Sequence, residues 1–238
     1  MRKNAQLLST NAGSDLYIFP EMFSTGFCTQ PEGIAETLPS QTLAWMQKEA
    51  VQLQAARGEE RVREEMRSIN AKKKDGTVTP DGAVAHYDKK HLFTFGGEHL
   101  RFTPGEDRVV VTCKGVRILL QICYDLRFPV WARNRGDYDM IIYVASWPKP
   151  RTDAWRQLLR ARAIENQCYV AGVNRCGKDP YCEYEGGTVI LDPYGQVMAE
   201  CPDGVESQIS AEIDLEKLNE FRKKFPVLDD ADDFTLNI

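Results

Sequence analysis

The stretch LLQICYDLRFPVW, residues 119–131, places one cysteine at the end of an apolar run and follows it with charge. The apolar residues 119–122 favour a buried strand, which the charges of Asp125 and Arg127 then end. Cysteine is most often a small buried hydrophobic residue, so Cys123 alone indicates no more than a core position. At the end of a strand it can also be a nucleophile, and the rest of the sequence must decide.

Composition indicates a globular protein that works on small molecules. The chain has 238 residues, of which 42% are hydrophobic and 27% are charged, and its net charge of −5 argues against nucleic-acid binding. No apolar run is long enough to span a membrane, and residues 1–14 lack the apolar core of a signal peptide. We therefore expect a cytoplasmic protein with neither nucleic acid nor a membrane as partner.

The seven cysteines, at positions 28, 113, 123, 168, 176, 182 and 201, are loosely spaced. No C-x-x-C pair occurs, so the sequence supports neither a zinc site nor a thioredoxin-like motif. Disulfides are rare in the cytosol, and we expect the thiols to stay reduced.

Hydrophobic periodicity predicts strands and helices mixed along the whole chain, which is the α/β or α+β class. The pattern of residues 152–167 predicts a helix with Thr152 or Asp153 as its N-cap. Residues 72–82 are basic, contain turn signals and predict a loop. The other predicted elements are helices over residues 41–69 and at the end of 207–225, and strands at 16–19, 84–89, 139–147, 168–174, 187–195 and the start of 207–225, with a hairpin over 108–123.

Three side chains with complementary chemistry follow predicted strands. Glu21 comes after one strand, Lys89 ends an alternating strand, and Cys123 ends a third. Active sites are commonly assembled at strand ends, where a rigid sheet aims the side chains. A carboxylate can take the proton of the thiol, and an ammonium can stabilise both the thiolate and the oxyanion of a tetrahedral intermediate.

These residues carry a resemblance to a known family. FPEMF around Glu21, YDKKHLF around Lys89 and CYDLRFP around Cys123 resemble the Glu-Lys-Cys triad of the nitrilase superfamily of carbon–nitrogen hydrolases. GGEHLRFTPG resembles the family loop with a second glutamate, here Glu98. VASWP, RARAIENQCYVAGVNR and YEGGTVILDPYG resemble the segments that follow the cysteine, so the likeness runs from about residue 15 to about 228. The pattern is most similar to that of bacterial omega-amidases, which hydrolyse the side-chain amide of 2-oxoglutaramate and similar 2-oxo acid amides.

The resemblance implies a single carbon–nitrogen hydrolase domain over residues 1–238, folded as a four-layer αββα sandwich, and a homodimer. It implies a small-molecule amide and water as the reactants, with no metal and no organic cofactor. On this basis Cys123 is the nucleophile and Glu21 the general base. Lys89, oriented by Glu98, supplies the oxyanion charge; Lys90 points to the opposite face of the strand.

The predicted substrate pocket must also hold the far carboxylate of a 2-oxo acid amide, since burying an unpaired carboxylate is costly. Arg127 is our first candidate for this role, and an ion pair with Asp125 or another acid is an equally good interpretation. The backbone N–H of Tyr124 is expected to assist the oxyanion. Phe23, Phe27 and Trp147 are candidates for the apolar lining, although aromatic residues at such positions can equally be core.

Two regions depart from the family pattern, and three rival functions remain open. Residues 1–14 make a poor strand, and residues 54–80 are charged and helix-prone where the family pattern leads us to expect strands. Missing or altered N-terminal strands would favour a degenerate, non-catalytic relative. A related amidase or nitrilase shares the triad, and a Cys-His hydrolase using His91 or His99 is a further possibility.

Overall fold

The computed structural model describes residues 13–29, 41–55, 67–72, 74–78 and 84–235. Short 3₁₀ helices, notably Thr94–Gly96, Glu98–Leu100, Cys123–Arg127 and Lys149–Arg151, connect many of the regular elements. In the described part of the chain the helices are α1 (Gln41–Ala55), α2 (Pro129–Ala132), α3 (Thr152–Asn166) and α4 (Leu215–Lys224). The strands are β1 (Leu16–Ile18), β2 (Arg67–Lys72), β3 (Lys74–Val78), β4 (Val84–Asp88), β5 (Val110–Cys113), β6 (Val116–Ile122), β7 (Met140–Ala145), β8 (Tyr169–Asn174), β9 (Cys176–Lys178), β10 (Glu183–Glu185), β11 (Val189–Leu191) and β12 (Val197–Glu200).

Two sheets form the centre of the molecule. The first has the strand order β1-β2-β3-β4, and the second has the order β12-β11-β8-β7-β6-β5. In the second sheet β6, β7 and β8 are parallel, so their carboxyl ends meet at one edge. The hairpin of β5 and β6 forms as predicted, with Lys114 and Gly115 in the left-handed region that a two-residue turn of this kind requires.

The sheets and helices stack in four layers, as the resemblance implied. Strands β2 and β3 contact β7 and β6 across the sheet interface, α1 covers β2 and β3, and α3 covers β8 and β11. Every residue of β7 is buried, as is expected for a parallel strand covered on both faces. Trp155, Leu159 and Ala163 of α3 are fully buried on the second sheet. Among the described residues, no helix combines the length and the apolar character that crossing a bilayer requires.

The predictions for residues 41–69 and 72–82 are wrong where the structure describes strands. Helix α1 is described over Gln41–Ala55, and residues 67–72 and 74–78 form strands where helix and loop were predicted. The reason lies in tertiary pairing, because β2 joins β1 in parallel and β3 joins β4 antiparallel. Such pairing overrides a local helical preference. Residues 56–66, and residues 1–12 within the atypical N-terminal stretch, lie outside the described residues.

Two smaller predictions also fail. Helix α3 begins at Thr152 with Arg151 in the N-cap position and no side-chain cap, and the Thr152 hydroxyl instead donates a hydrogen bond to the carbonyl of Lys149. The predicted strand at the start of 207–225 is absent, although its side chains still alternate between exposed and half-buried. The segment is not a strand because no described strand forms a hydrogen-bonded ladder with it.

Gly172 allows α3 to approach the second sheet closely. A Cβ atom at this position would lie 2.3 Å from Cδ1 of Leu159 and 2.9 Å from Cζ2 of Trp155.

We expect Gly172→Ala to lower the free energy of unfolding by about 1–3 kcal/mol through overpacking, measured by urea denaturation. Adding Leu159→Ala would make room for the new methyl group, so the double variant should lose less than the sum of the single losses. Strict additivity would contradict this explanation.

Candidate active site

Cys123 lies where β6 gives way to a 3₁₀ helix, as the sequence predicted. The side chain is 9% exposed, and its backbone has φ = 44°, in the left-handed region that a residue with a side chain rarely adopts. Such strain persists only where the surroundings hold it in place, and it is concentrated at functional sites. The sharp turn ends the strand at the thiol and turns the following residues away.

Glu21 and Lys89 are brought to the same buried place from the first sheet. Glu21 follows β1 and is 5% exposed, and Lys89 follows β4 and is 6% exposed. Nζ of Lys89 lies 3.7 Å from Oε1 of Glu21, and the Cys123 thiol is close enough to Glu21 to form a hydrogen bond with it. The three residues that the sequence singled out therefore converge.

Glu98 joins this group and carries the shortest contacts to the ammonium. Its two carboxylate oxygens accept hydrogen bonds from Nζ of Lys89 at 3.0 and 2.8 Å, and Oε2 also accepts one from the backbone N–H of Phe93 at 2.7 Å. The predicted contact between Glu98 and Lys89 is thus present. Lys90 points elsewhere, with Nζ 5.2 Å from the centre of the Trp131 ring, so the two lysines face opposite ways as expected.

The burial of these groups fixes where their protons reside. Burial raises the pKa of the Cys123 thiol well above its usual value, and the Glu21 charge adds to this more than Lys89 offsets it. Burial also raises the pKa of Glu21 against the opposing charge of Lys89. For Lys89, burial lowers the pKa, but the charges of Glu21, Cys123 and Glu98 together raise it above normal. At neutral pH the resting site holds a protonated thiol beside an ammonium, so the thiol must lose its proton when it attacks.

A family model for carbon–nitrogen hydrolases matches residues 2–223. The chain belongs to the carbon–nitrogen hydrolase family. It is 42% identical to omega-amidase YafV of Yersinia enterocolitica, over 99% of this chain and 91% of that protein. It is 35% identical to 2-oxoglutaramate amidase of Bacillus subtilis, over 91% of this chain and 85% of that protein. The crystal structure of XC1258 from Xanthomonas campestris, a CN-hydrolase superfamily protein, matches with a TM-score of 0.89 at 39% identity, covering 99% of this chain and 92% of that chain.

Membership of this family makes the protein an amide-hydrolysing enzyme. It also agrees with the presence of a carboxylate and an ammonium, and not of a histidine, beside the cysteine. Nδ1 of His91 lies 2.8 Å from Oδ1 of Asp125, and its ring stacks on that of Phe128, whereas His99 is exposed. The Cys-His interpretation therefore has no support in this carbon–nitrogen hydrolase. In the described part of the chain, no group of three or more His, Cys, Asp or Glu side chains is arranged to hold a metal ion.

Asp125, two residues after Cys123, connects the two strand ends that carry Cys123 and Lys89. It is fully buried, and its Oδ1 accepts from the backbone N–H of His91 at 2.9 Å as well as contacting the His91 ring. Its Oδ2 accepts from the Tyr87 hydroxyl at 2.9 Å and from the backbone N–H of Ile122 at 3.0 Å. One carboxylate thus joins the end of β4 and the residues that follow it to the end of β6. The sequence predicts only that Asp125 ends the strand and that it can pair with Arg127.

The sequence did not single out Ser146, which bonds to Glu21, or Asn174, which holds the backbone of the residue after Ser146. The backbone N–H of Ser146 donates to Oε2 of Glu21 at 2.8 Å. Asn174, at the end of β8, accepts from the backbone N–H of Trp147 at 2.7 Å and donates to its carbonyl at 2.9 Å. Both residues follow or end buried parallel strands, which is a usable signal, but only the fold shows that Ser146 reaches Glu21 and that Asn174 holds the adjoining Trp147 backbone.

The structure places the predicted substrate residues in different surroundings. Tyr124 packs its ring on Phe93, 5.2 Å between centres, close to the nucleophile. The Arg127 guanidinium lies 4.9 Å from the centre of the buried Trp147 ring and not on Asp125, whose described partners are other groups. The Phe23 ring stacks on Phe19 in a second cluster beneath α1, and Phe27 is half-buried in the turn after Glu21.

We expect Asp125→Asn to disturb the site although the two side chains have nearly the same size. An amide has one acceptor oxygen, so donors now satisfied by Oδ1 or Oδ2 would face an NH₂ group, and each buried donor left unsatisfied costs about 1–3 kcal/mol. Both the free energy of unfolding, from urea denaturation, and kcat should fall. Asp192→Asn is the matched control, because Asp192 uses a single oxygen for both of its N–H donors, those of Tyr194 and Gln196. Equal effects of the two variants would contradict the proposed role of Asp125 in joining the two strand ends.

We expect the pH profile of kcat/KM to report Glu21. Protonated Glu21 cannot accept the thiol proton, so activity should fall as the pH decreases through its pKa, and that pKa lies above 4.5. The Glu98 charge helps to raise it, so Glu98→Gln should move the acid limb to lower pH while also reducing kcat. Glu106→Gln, which removes an exposed carboxylate of the same loop, should leave the limb in place. An acid limb that stays fixed or moves upward in Glu98→Gln would contradict this assignment.

Proposed function

We propose that the protein hydrolyses the side-chain amide of 2-oxo acid amides, as an omega-amidase, through a thioester on Cys123. The observation that carries the mechanism is the buried assembly of Cys123, Glu21 and Lys89, with Glu98 bonded to Lys89. The names of the relatives, omega-amidase and 2-oxoglutaramate amidase, support the substrate class. We also propose a cytoplasmic location, where the cysteines stay reduced, with neither nucleic acid nor a membrane as partner.

In the first half-reaction the Cys123 sulfur attacks the amide carbon while Glu21 takes the thiol proton. The oxyanion that forms is stabilised by the ammonium of Lys89 and by the backbone N–H of Tyr124. The tetrahedral intermediate collapses when Glu21 returns the proton to the amide nitrogen, and ammonia leaves. The enzyme then carries a thioester between Cys123 and the acyl group.

The second half-reaction regenerates the thiol. Glu21 takes a proton from water, whose oxygen attacks the thioester carbon, and Lys89 again stabilises the oxyanion. Collapse expels the Cys123 sulfur, which recovers its proton from Glu21. The net reaction consumes the amide and one water and yields the carboxylic acid and ammonia. Because the thiol is protonated at rest, Glu21 has to act in both halves.

An ammonia-release assay across a 2-oxo acid amide, an uncharged amide of similar length and a nitrile tests the substrate class. We expect the highest kcat/KM on the 2-oxo acid amide. Preference for the nitrile or the uncharged amide would assign a different specificity to the same triad, and no turnover of any of the three would support a degenerate relative.

The roles of the two neighbouring lysines give a sharper test of the mechanism. Removing the oxyanion charge should cost at least about 10²-fold in kcat, so Lys89→Ala should be nearly inactive, as should Cys123→Ala. Lys90→Ala is the matched control and should retain most of its activity, because Lys90 contacts Trp131 instead. An inactive Lys90 variant beside an active Lys89 variant would reverse the assignment.

We further propose that the enzyme is a homodimer that buries an exposed apolar patch at the second sheet's outer layer. In this patch the Tyr194 and Phe221 rings lie 4.2 Å apart, Phe225 follows at 6.5 Å from Phe221, and Gly195 adjoins Ile164 of α3. Ile164, Tyr194 and Phe225 are each more than half exposed. Contiguous exposed apolar surface of this kind is typical of an interface between subunits.

Analytical ultracentrifugation tests this arrangement. We expect a dimer for the unaltered chain and a shift towards monomer for Ile164→Asp, since a charge would be buried without a partner in the interface. Tyr181→Asp is the control, because Tyr181 is 94% exposed on the β9–β10 loop and forms no described contact with the patch. If the Tyr181 variant alone dissociates, the interface lies elsewhere. If the unaltered chain is a monomer, the proposed dimer does not form.

A further inference from the structure

We infer that Arg151 binds the substrate carboxylate together with Arg127, so that two guanidinium groups select 2-oxo acid amides. This inference rests on the proposed function and assigns its specificity. Sequence analysis had proposed Arg127 alone. Arg151 ends the 3₁₀ helix that follows β7, directly before α3.

Neither guanidinium is neutralised by a carboxylate in the described part of the chain. Arg127 lies over Trp147, and the Arg151 guanidinium lies 5.6 Å from the centre of the Phe93 ring. Six other described arginines, in contrast, pair with acids: Arg108 with Asp137, Arg117 and Arg222 with Asp139, Arg156 with Asp203, Arg162 with Glu165, and Arg175 with Asp179. An arginine supported only by an aromatic ring keeps its hydrogen-bond donors available for an anion.

The two arginines belong to the same edge of the second sheet as the nucleophile. Arg127 closes the 3₁₀ helix that begins with Cys123 after β6, and Arg151 follows β7, the parallel neighbour of β6. Trp147 connects them, because its ring lies beneath Arg127 and its indole N–H donates to the Arg151 carbonyl at 2.7 Å. Their aromatic supports therefore hold both cations at the edge of the sheet that carries Cys123.

Phe93 ties Arg151 to the catalytic groups. The Phe93 backbone N–H is bonded to Glu98, and its ring packs on Tyr124, the residue after the nucleophile. The Arg151 guanidinium thus lies over the ring of a residue whose backbone N–H is bonded to Glu98. Arg151 also occupies the N-cap of α3, which has no side-chain cap, so the helix dipole adds to the local positive potential.

The charge balance explains why two cations are needed. Glu21 and Glu98 carry two negative charges against the single positive charge of Lys89, so the catalytic pocket is net negative when all three are ionised. An anionic substrate would be repelled by such a pocket unless cations at its mouth compensate. Arg127 and Arg151 supply that charge, and together they offer a carboxylate more donors than one guanidinium can.

The test compares Arg151→Gln, Arg127→Gln and the double variant on a 2-oxo acid amide and on an uncharged amide of similar length. A charge-assisted hydrogen bond of about 1.5–3 kcal/mol corresponds to about tenfold or more in affinity, so each single variant should raise KM for the 2-oxo acid amide by at least about tenfold. KM and kcat for the uncharged amide should stay within about twofold. The matched control is Arg135→Gln, which removes an exposed guanidinium 4.6 Å from the Phe234 ring, before β7 begins and so at the opposite edge of the sheet.

Calorimetric binding of the 2-oxo acid amide to Cys123→Ala provides a readout that does not depend on turnover. Adding Arg151→Gln to this background should weaken binding by the same factor. If the unaltered enzyme prefers the 2-oxo acid amide but Arg151→Gln behaves like Arg135→Gln, this inference is overturned and the proposed function stands. Equal losses on both amides would make Arg151 a structural residue. If the unaltered enzyme prefers the uncharged amide, and Cys123→Ala does not bind the 2-oxo acid amide, the proposed function and this inference both fail.

Discussion

The buried ammonium of Lys89 between two carboxylates is the interaction on which the rest of the site depends. Removing three charged groups from water is costly, and the cost is tolerable only when each charge finds partners at close range. Lys89 meets Glu98 at 2.8 Å and Glu21 at 3.7 Å, and these contacts keep the ammonium charged despite its burial. Burial, together with the excess negative charge, makes the thiol hold its proton, so the proposed mechanism needs Glu21 to accept that proton.

Such a cluster requires strand ends that do not move relative to one another. Asp125 joins the end of β4 to the end of β6 with one carboxylate, and Asn174 joins the end of β8 to the backbone that follows β7. The Ser146 N–H then fixes Glu21 from β7's side. Each clamp uses buried polar groups whose hydrogen bonds are met by backbone, which stiffens the site at little cost in unsatisfied polarity. The catalytic geometry is therefore a property of both sheets together.

The sequence predicted well what local patterns and short motifs encode. The alternation ending at Lys89, the apolar run ending at Cys123 and the hairpin at Lys114 all lie where the residues indicated, because periodicity and turn chemistry act locally. Strands β2 and β3 could not be found this way, since their residues favour helix or loop and only pairing with β1 and β4 makes them strands. The clamps of Asp125 and Asn174 were missed for the same reason: their partners are distant in sequence and meet only in the fold.

The most direct test of the mechanism is to identify the covalent intermediate. A rapid acid quench of the enzyme during turnover of a 2-oxo acid amide, followed by intact-protein and peptide mass spectrometry, measures both the added acyl mass and its position. The account predicts one acyl group per chain, attached to Cys123, formed together with a burst of ammonia of equal amount. Ammonia release with no acyl adduct, or an adduct on any of the other six cysteines while Cys123 stays unmodified, would contradict it.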